Sequence, residues 1–215
     1  MRIYLSRSEE SAVEFIAAMK QHQVEVISFS QIEILPLAFT YDHAVDWIFF
    51  SSSHAAQVFF QQEKFNPNQL YGAIGKATAA AVPGACAFVG DSSNTEEVAL
   101  LFKDKIQNQS VLFPIGNRSV RSIQSVLDVN QYQEVVVYET ADHPKPIGFC
   151  DAYIFSSPSN VFAALKHTDL HDGVCFSFGK STSQALMAAG VRRIIELNSL
   201  NTEAMVQQIL AELNS

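Results

Sequence analysis

DWIFFSSSHAAQVF, residues 46–59, returns about a hundred positions later as DAYIFSSPSNVFAAL, residues 151–165. Phe50 falls on Phe155 and Ser51 on Ser156. In each copy a short, wholly apolar run ends in serines and opens into a segment with helical spacing. That is how a strand buried on both faces looks when a helix follows it. The same order holds for other pairs. AIGKATAAAV (73–82) matches FSFGKSTSQAL (176–186), NTEEVALL (94–101) matches NTEAMVQQ (201–208), and RIYLSR (2–7) loosely matches SVLFPIGNR (110–118). Four pairs in one order mark a chain made of two copies of one unit. Two copies do not make a solenoid, so each unit is expected to be a domain.

Within a unit, strand-like runs (RIYL, VEVISF, DWIFF, YGAIG) alternate with helical stretches. Alternating β and α elements predict parallel sheets covered by helices, an α/β fold of flavodoxin or Rossmann type, present twice. Over Glu9–Lys20 the spacing puts Val13, Ile16 and Ala17 on one helical face. Asn94 and Asn201 read as helix N-caps, Asn94 with Glu97 as a capping box. Gly190 after LMAA reads as a helix end. Two extended segments, VISFSQIEILPL (26–37) and VVVYETADHPKPIG (135–148), each look like a linker. A single linker would join two consecutive domains. Two linkers imply that the first βα unit leaves, the middle domain is built, and the chain returns. The expected division is domain one at 1–31 and 143–215, domain two at 37–136, and antiparallel hinge crossings at 32–36 and 137–142.

Composition narrows the function. Of 215 residues, 48% are hydrophobic and 17% charged, enough apolar material for two cores. No apolar run approaches the roughly 20 residues of a membrane helix, and MRIYLSRSEE lacks a signal-peptide core. Cys86, Cys150 and Cys175 lie in separate segments without a CxxC pair, which predicts free thiols, a cytoplasmic location and no metal site. A net charge of −8 argues against nucleic acid or an anionic membrane as partner. It leaves room for a small anion bound locally. Gly179-Lys180-Ser181 resembles the end of a phosphate-binding loop, but the first glycine would have to stand where Val174 does. In the twin, Ala77 replaces the required hydroxyl, so a nucleotide enzyme is disfavoured.

IFFSSSHAA, AIGKATAAA, LFPIGNRSVR, VVVYET, IFSSPSNVF, FGKSTSQALMAAG and the two NTE helix starts, taken together and in this order, resemble the uroporphyrinogen-III synthase family over nearly the whole chain. The resemblance implies two discontinuous domains joined by a β-ladder, with the active cleft between them. It also implies the reaction, with no cofactor. Linear hydroxymethylbilane loses water and closes to a macrocycle, with ring D inverted through a spiro intermediate. The protein's task is then to position an octacarboxylate, which requires many hydrogen-bond donors. Strand-to-helix turns supply free N–H groups and partial positive charge.

By this resemblance Tyr138 meets the departing hydroxyl, as hydrogen-bond donor or general acid; by position alone it could merely pack an extended segment. Ser51, Ser52, Ser156 and Ser157 offer hydroxyls and N–H groups, or are simply turn residues. Thr78, Ser181 and Thr182 contact substrate, cap their helices, or do both. Gly75 and Gly179 permit a sharp turn or close approach. Arg7 and Arg118 are cations for carboxylates, while Arg121 reads as a surface arginine. Lys76 and Lys180 are either local carboxylate partners or solvated, and His54 has no assignable acid partner. The expected protein is a monomer acting on a small molecule. The second reading is a non-enzymatic two-domain module that binds a small anion.

Overall fold

The structure, a computed structural model, describes residues 1–91, 94–170 and 173–213. The chain divides into two compact units, Met1–Glu33 with Ala141–Ser215, and Ile34–Thr140.

The first unit contains β1 (Arg2–Leu5), α1 (Val13–Gln21) and β2 (Glu25–Ser28) before the chain leaves. On its return it adds β9 (Ala152–Phe155), α5 (Pro158–Ala164), β10 (Val174–Ser177), α6 (Lys180–Ala188), β11 (Arg193–Glu196) and α7 (Thr202–Leu213). Its sheet runs β11-β10-β9-β1-β2, with every neighbouring pair parallel. Counted along this unit alone, that is the 2-1-3-4-5 order of flavodoxin-like folds. Burial explains the apolar runs. Ile3, Leu5, Ile154 and Phe176 pack on one side with Phe15 and Met19 of α1 and Met205 and Ile209 of α7. Tyr4, Tyr153, Phe155 and Cys175 point to the other side, against Val161 of α5 and Leu186 of α6. Alternate residues thus serve opposite cores, and each large apolar side chain buried contributes about 1.5–3 kcal/mol.

The second unit contains β4 (Trp47–Phe50), α2 (Ser53–Gln62), β5 (Leu70–Ile74), α3 (Gly75–Ala79), β6 (Phe88–Gly90), α4 (Thr95–Ile106), β7 (Val111–Gly116) and most of β8 (Tyr132–Asp142). With β3 (Ile32–Pro36) at its edge, the sheet order is β3-β8-β7-β4-β5-β6. Taking β7 and β8 as the counterparts of β1 and β2 makes this the same 2-1-3-4-5 order, circularly permuted. The match repeats the pairing of RIYLSR with SVLFPIGNR found in the sequence. Trp47, Phe49, Phe102, Val111 and Phe113 fill one core. Ile48, Phe50, Phe59, Tyr71, Leu112 and Val137 fill the other.

The chain passes between units within β3 and within β8. His143 donates its N–H to Gln31 O, and Leu37 donates to Val137 O. The residue number falls on one segment as it rises on the other, so these segments run antiparallel. The 135–148 stretch is less of a linker than its prolines imply, because its first half is ordered in the 11-residue β8.

Two local expectations need correction. In α1 the period is right but the phase is off by one residue. Ala12, Phe15 and Met19 are buried, while Val13 is 62% exposed. The larger Phe15 and Met19 gain more from burial than Val13 and Ala17, and they set the face. Residues 9–11 form a separate 3₁₀ turn. The caps hold better. Asn94 Oδ1 accepts from Glu97 N–H at 3.2 Å, and the Glu97 carboxylate accepts from the Asn94 side-chain amide. Asn201 Oδ1 accepts from Glu203 N–H and Ala204 N–H. Gly190 sits past α6 with φ +79°.

Candidate active site

All the candidate residues except Tyr138 follow the carboxyl ends of strands near the point where each sheet's order reverses. That is where open α/β sheets bind ligands. In the first unit Arg7 follows β1, Ser156 and Ser157 follow β9, and Gly179, Ser181 and Thr182 follow β10; these are three adjacent strands. In the second, Arg118 follows β7, Ser51 and Ser52 follow β4, and Gly75 and Thr78 follow β5. Tyr138 lies on β8, beside β7.

Arg7 is the best-placed cation of the first unit. Its guanidinium carbon sits 4.7 Å from the centre of the Phe178 ring. Burial lowers its pKa, and it forms no ion pair among the described residues. It lines a depression with Phe178, Ser11, Leu200 and Thr202, at the starts of α1 and α7. Ser156 is tied to Ser6: its N–H donates to Ser6 Oγ at 2.8 Å, and its hydroxyl donates to Ser6 O at 2.8 Å. Ser157 caps α5 by accepting from Asn160 N–H and from the Asn160 side-chain amide. Ser181 is exposed in the first turn of α6, whereas Thr182 is 2% exposed.

In the second unit Ser51 is exposed and Ser52 occupies the N-cap position of α2 without a side-chain cap bond. Gly75 begins α3 at φ +75°, a conformation that costs any other residue energy. It lines a shallow depression with Lys76, Ala77, Val89, Gly90 and Asp91. Thr78 is buried. Arg118 is exposed, and Arg121 shares its Nε–H between the two carboxylate oxygens of Glu134, as a surface arginine would. The half-buried Tyr138 packs against the Phe50–Phe59 core, 6.2 Å from the His54 ring, centre to centre. Its hydroxyl has no hydrogen-bond partner among the described residues.

The capping reading of the threonines and the sharp-turn reading of one glycine do not hold. Thr78 is the fourth residue of α3 and Thr182 the third of α6, so neither is a cap; Ile74 and Gly179 hold those positions. Gly179 is extended at φ 167°, and a methyl group there would meet nothing within 4 Å. Its twin, Gly75, alone needs glycine for its backbone.

Sequence reasoning also passed over Ser6, Asn117, Gly116 and Asn160. Ser6 and Asn117 stand one residue before Arg7 and Arg118, and each ties its strand to a different neighbour, the end of β9 in one unit and β8 in the other. Ser6 Oγ accepts from Ser156 N–H, and Asn117 Oδ1 accepts from Thr140 N–H at 2.9 Å. Their equal spacing from the arginines was the available signal. Asn160 had none. It is buried and accepts from Gln31 N–H at 2.7 Å, a contact across 129 residues of sequence.

A family model described as uroporphyrinogen-III synthase HemD matches residues 13–207. The chain belongs to the uroporphyrinogen-III synthase family. No curated protein matches it closely enough to be counted. Solved structures share its fold. The uroporphyrinogen-III synthetase of Helicobacter pylori is 19% identical with TM-score 0.71, covering 99% of this chain and 100% of that one. A mutant uroporphyrinogen III synthase of Thermus thermophilus is 13% identical with TM-score 0.69, covering 100% and 99%. The wild-type Thermus synthase in a second crystal form is 14% identical with TM-score 0.53, covering 100% and 98%. As a synthase of this family the chain is an enzyme, a cyclising lyase of tetrapyrrole biosynthesis. The non-enzymatic reading is not favoured. No described helix is long and apolar enough to cross a membrane.

Proposed function

We propose that this synthase closes hydroxymethylbilane by holding its carboxylates at helix starts while Tyr138 attends the leaving hydroxyl. The electron-rich pyrrole expels the hydroxymethyl oxygen, leaving an azafulvene cation. The departing oxygen takes a proton to become water, and the Tyr138 O–H donates to it. The substituted carbon of ring D then attacks to form a spiro centre. One carbon–carbon bond of that centre breaks, the ring recloses inverted, and a proton is lost. None of these steps needs a serine nucleophile. They need a flexible polyacid held in one conformation, a gain that can amount to several kcal/mol.

Ser51, Ser52, Ser156, Ser157, Ser181, Thr78, Thr182, Gly75 and Gly179 form the holding set, with Arg7 and Arg118 as its cations. The division of labour we infer is domain one at 1–31 and 143–215, domain two at 37–136, and crossings at 32–36 and 137–142 as the hinge. The enzyme works as a cytoplasmic monomer. The observation that carries the reading is Tyr138, a packed ring whose hydroxyl is left without a partner among the described residues at the carboxyl edge of its sheet.

The test is incubation with hydroxymethylbilane and resolution of isomers I and III. The native chain should yield isomer III, and a mixture equal to the protein-free control would sink the reading. Tyr138→Phe should lower kcat with little change in product affinity; full activity would remove the tyrosine from the mechanism.

A further inference from the structure

We infer that Gly116 is a positioning residue for Tyr138, a notch in β7 that seats the phenol ring. The inference rests on the role proposed for Tyr138. A methyl group built at Gly116 would lie 2.4 Å from Tyr138 Cζ, 2.6 Å from Cε2 and 2.7 Å from the hydroxyl oxygen. Each is closer than real side-chain carbons approach. The neighbour struck is the end of a ring, including the oxygen assigned to the chemistry. Gly116 is not in the left-handed conformation, so it answers a need for space and not for backbone freedom.

The backbone delivers the ring to the notch. β7 and β8 pair in step from Val111↔Tyr132 to Ile115↔Val136, then slip by one, so Gly116 faces Tyr138 and not Val137. Such a bulge re-aims a side chain. It is fastened on the far side, where Asn117 donates its N–H to Tyr138 O at 3.2 Å and its side chain accepts from Thr140 N–H.

The sister copy lacks the slip. Through Trp47 and Ala152, which the duplication aligns, Val111 stands for Ile3 and Phe113 for Leu5. In the first unit β1 and β2 pair in an unbroken ladder that ends at Leu5↔Ser28, short of the place Gly116 holds in β7. The bulge and its notch therefore belong to the copy that carries the phenol.

The test compares Gly116→Ala, Tyr138→Phe and their double variant by kcat, KM and the ratio of isomers III to I. Gly116→Ala should lower kcat by about the factor that Tyr138→Phe does, at least about tenfold, with KM within about twofold. The double variant should be no slower than the worse single one, because both changes disable one group. Wild-type kcat in Gly116→Ala alongside an impaired Tyr138→Phe would overturn the notch and leave the function intact. An unimpaired Tyr138→Phe would remove the tyrosine's role and the notch with it. If Gly116→Ala folds poorly, Tyr138→Ala is added beneath it. Recovery of the melting temperature in that pair shows that the ring is what the methyl strikes, and no recovery overturns the inference.

Discussion

At His54 the surrounding protein disfavours the charged imidazole and lowers its pKa below the ordinary 6.5, although part of the residue's surface stays exposed. A histidine with a depressed folded pKa binds fewer protons folded than unfolded. Stability is therefore complete above the unfolded pKa and is lost as pH falls through 6.5 toward the folded value. The difference in denaturant midpoint between the native chain and His54→Gln should shift against the native chain as pH falls from about 7.5 to 5.5. A pH-independent difference would mean that His54 titrates alike in both states. Burial acts in the opposite sense on Cys175, pushing its thiol up to about 12. Among the three cysteines Cys86 is the least buried, so a maleimide should label it first and Cys175 last.

At the scale of elements, the twin turns Gly75-Lys76 and Gly179-Lys180 look interchangeable in sequence and are not so in structure. Gly75→Ala forces a side chain to φ +75° and should destabilise by about 1 kcal/mol or more. Gly179→Ala meets open space in an extended backbone and should leave the unfolding midpoint unchanged or slightly raised. Equal costs in chemical denaturation would refute the distinction. Element identity was readable because the determinants are local: the WIFF and AYIF runs, the Asn94 and Asn201 caps, and the glycine after α6. The phase of α1 was not, because apolar spacing alone did not tell Val13 from Phe15. The sheet's demand for the larger side chains decided it.

The whole molecule sets a charge problem. A chain of net charge −8 must take up an octacarboxylate. If helix starts and hydroxyls hold it, few long-range attractions exist for salt to screen, whereas the mutual repulsion is screened over about 10 Å at 0.1 M. Raising salt from about 50 to 200 mM should then leave kcat/KM flat or raise it. A steep fall would show that a cationic groove carries binding. The duplication was legible at this scale because four matched pairs keep one order. The strand order within each sheet, permuted between the two units, came from the structure.

The α/β class, the two copies and the strand-end turns where the candidate residues cluster are legible in the residues alone, because apolar period, turn chemistry and repetition are written in neighbouring residues. Folding in space was needed to bury Thr78 and Thr182 and to bring Asn160 to Gln31. It alone set Tyr138 over Gly116, by a one-residue slip between strands. These outcomes depend on which residues meet across tens of positions, and pairwise distance in space leaves no local mark on the chain.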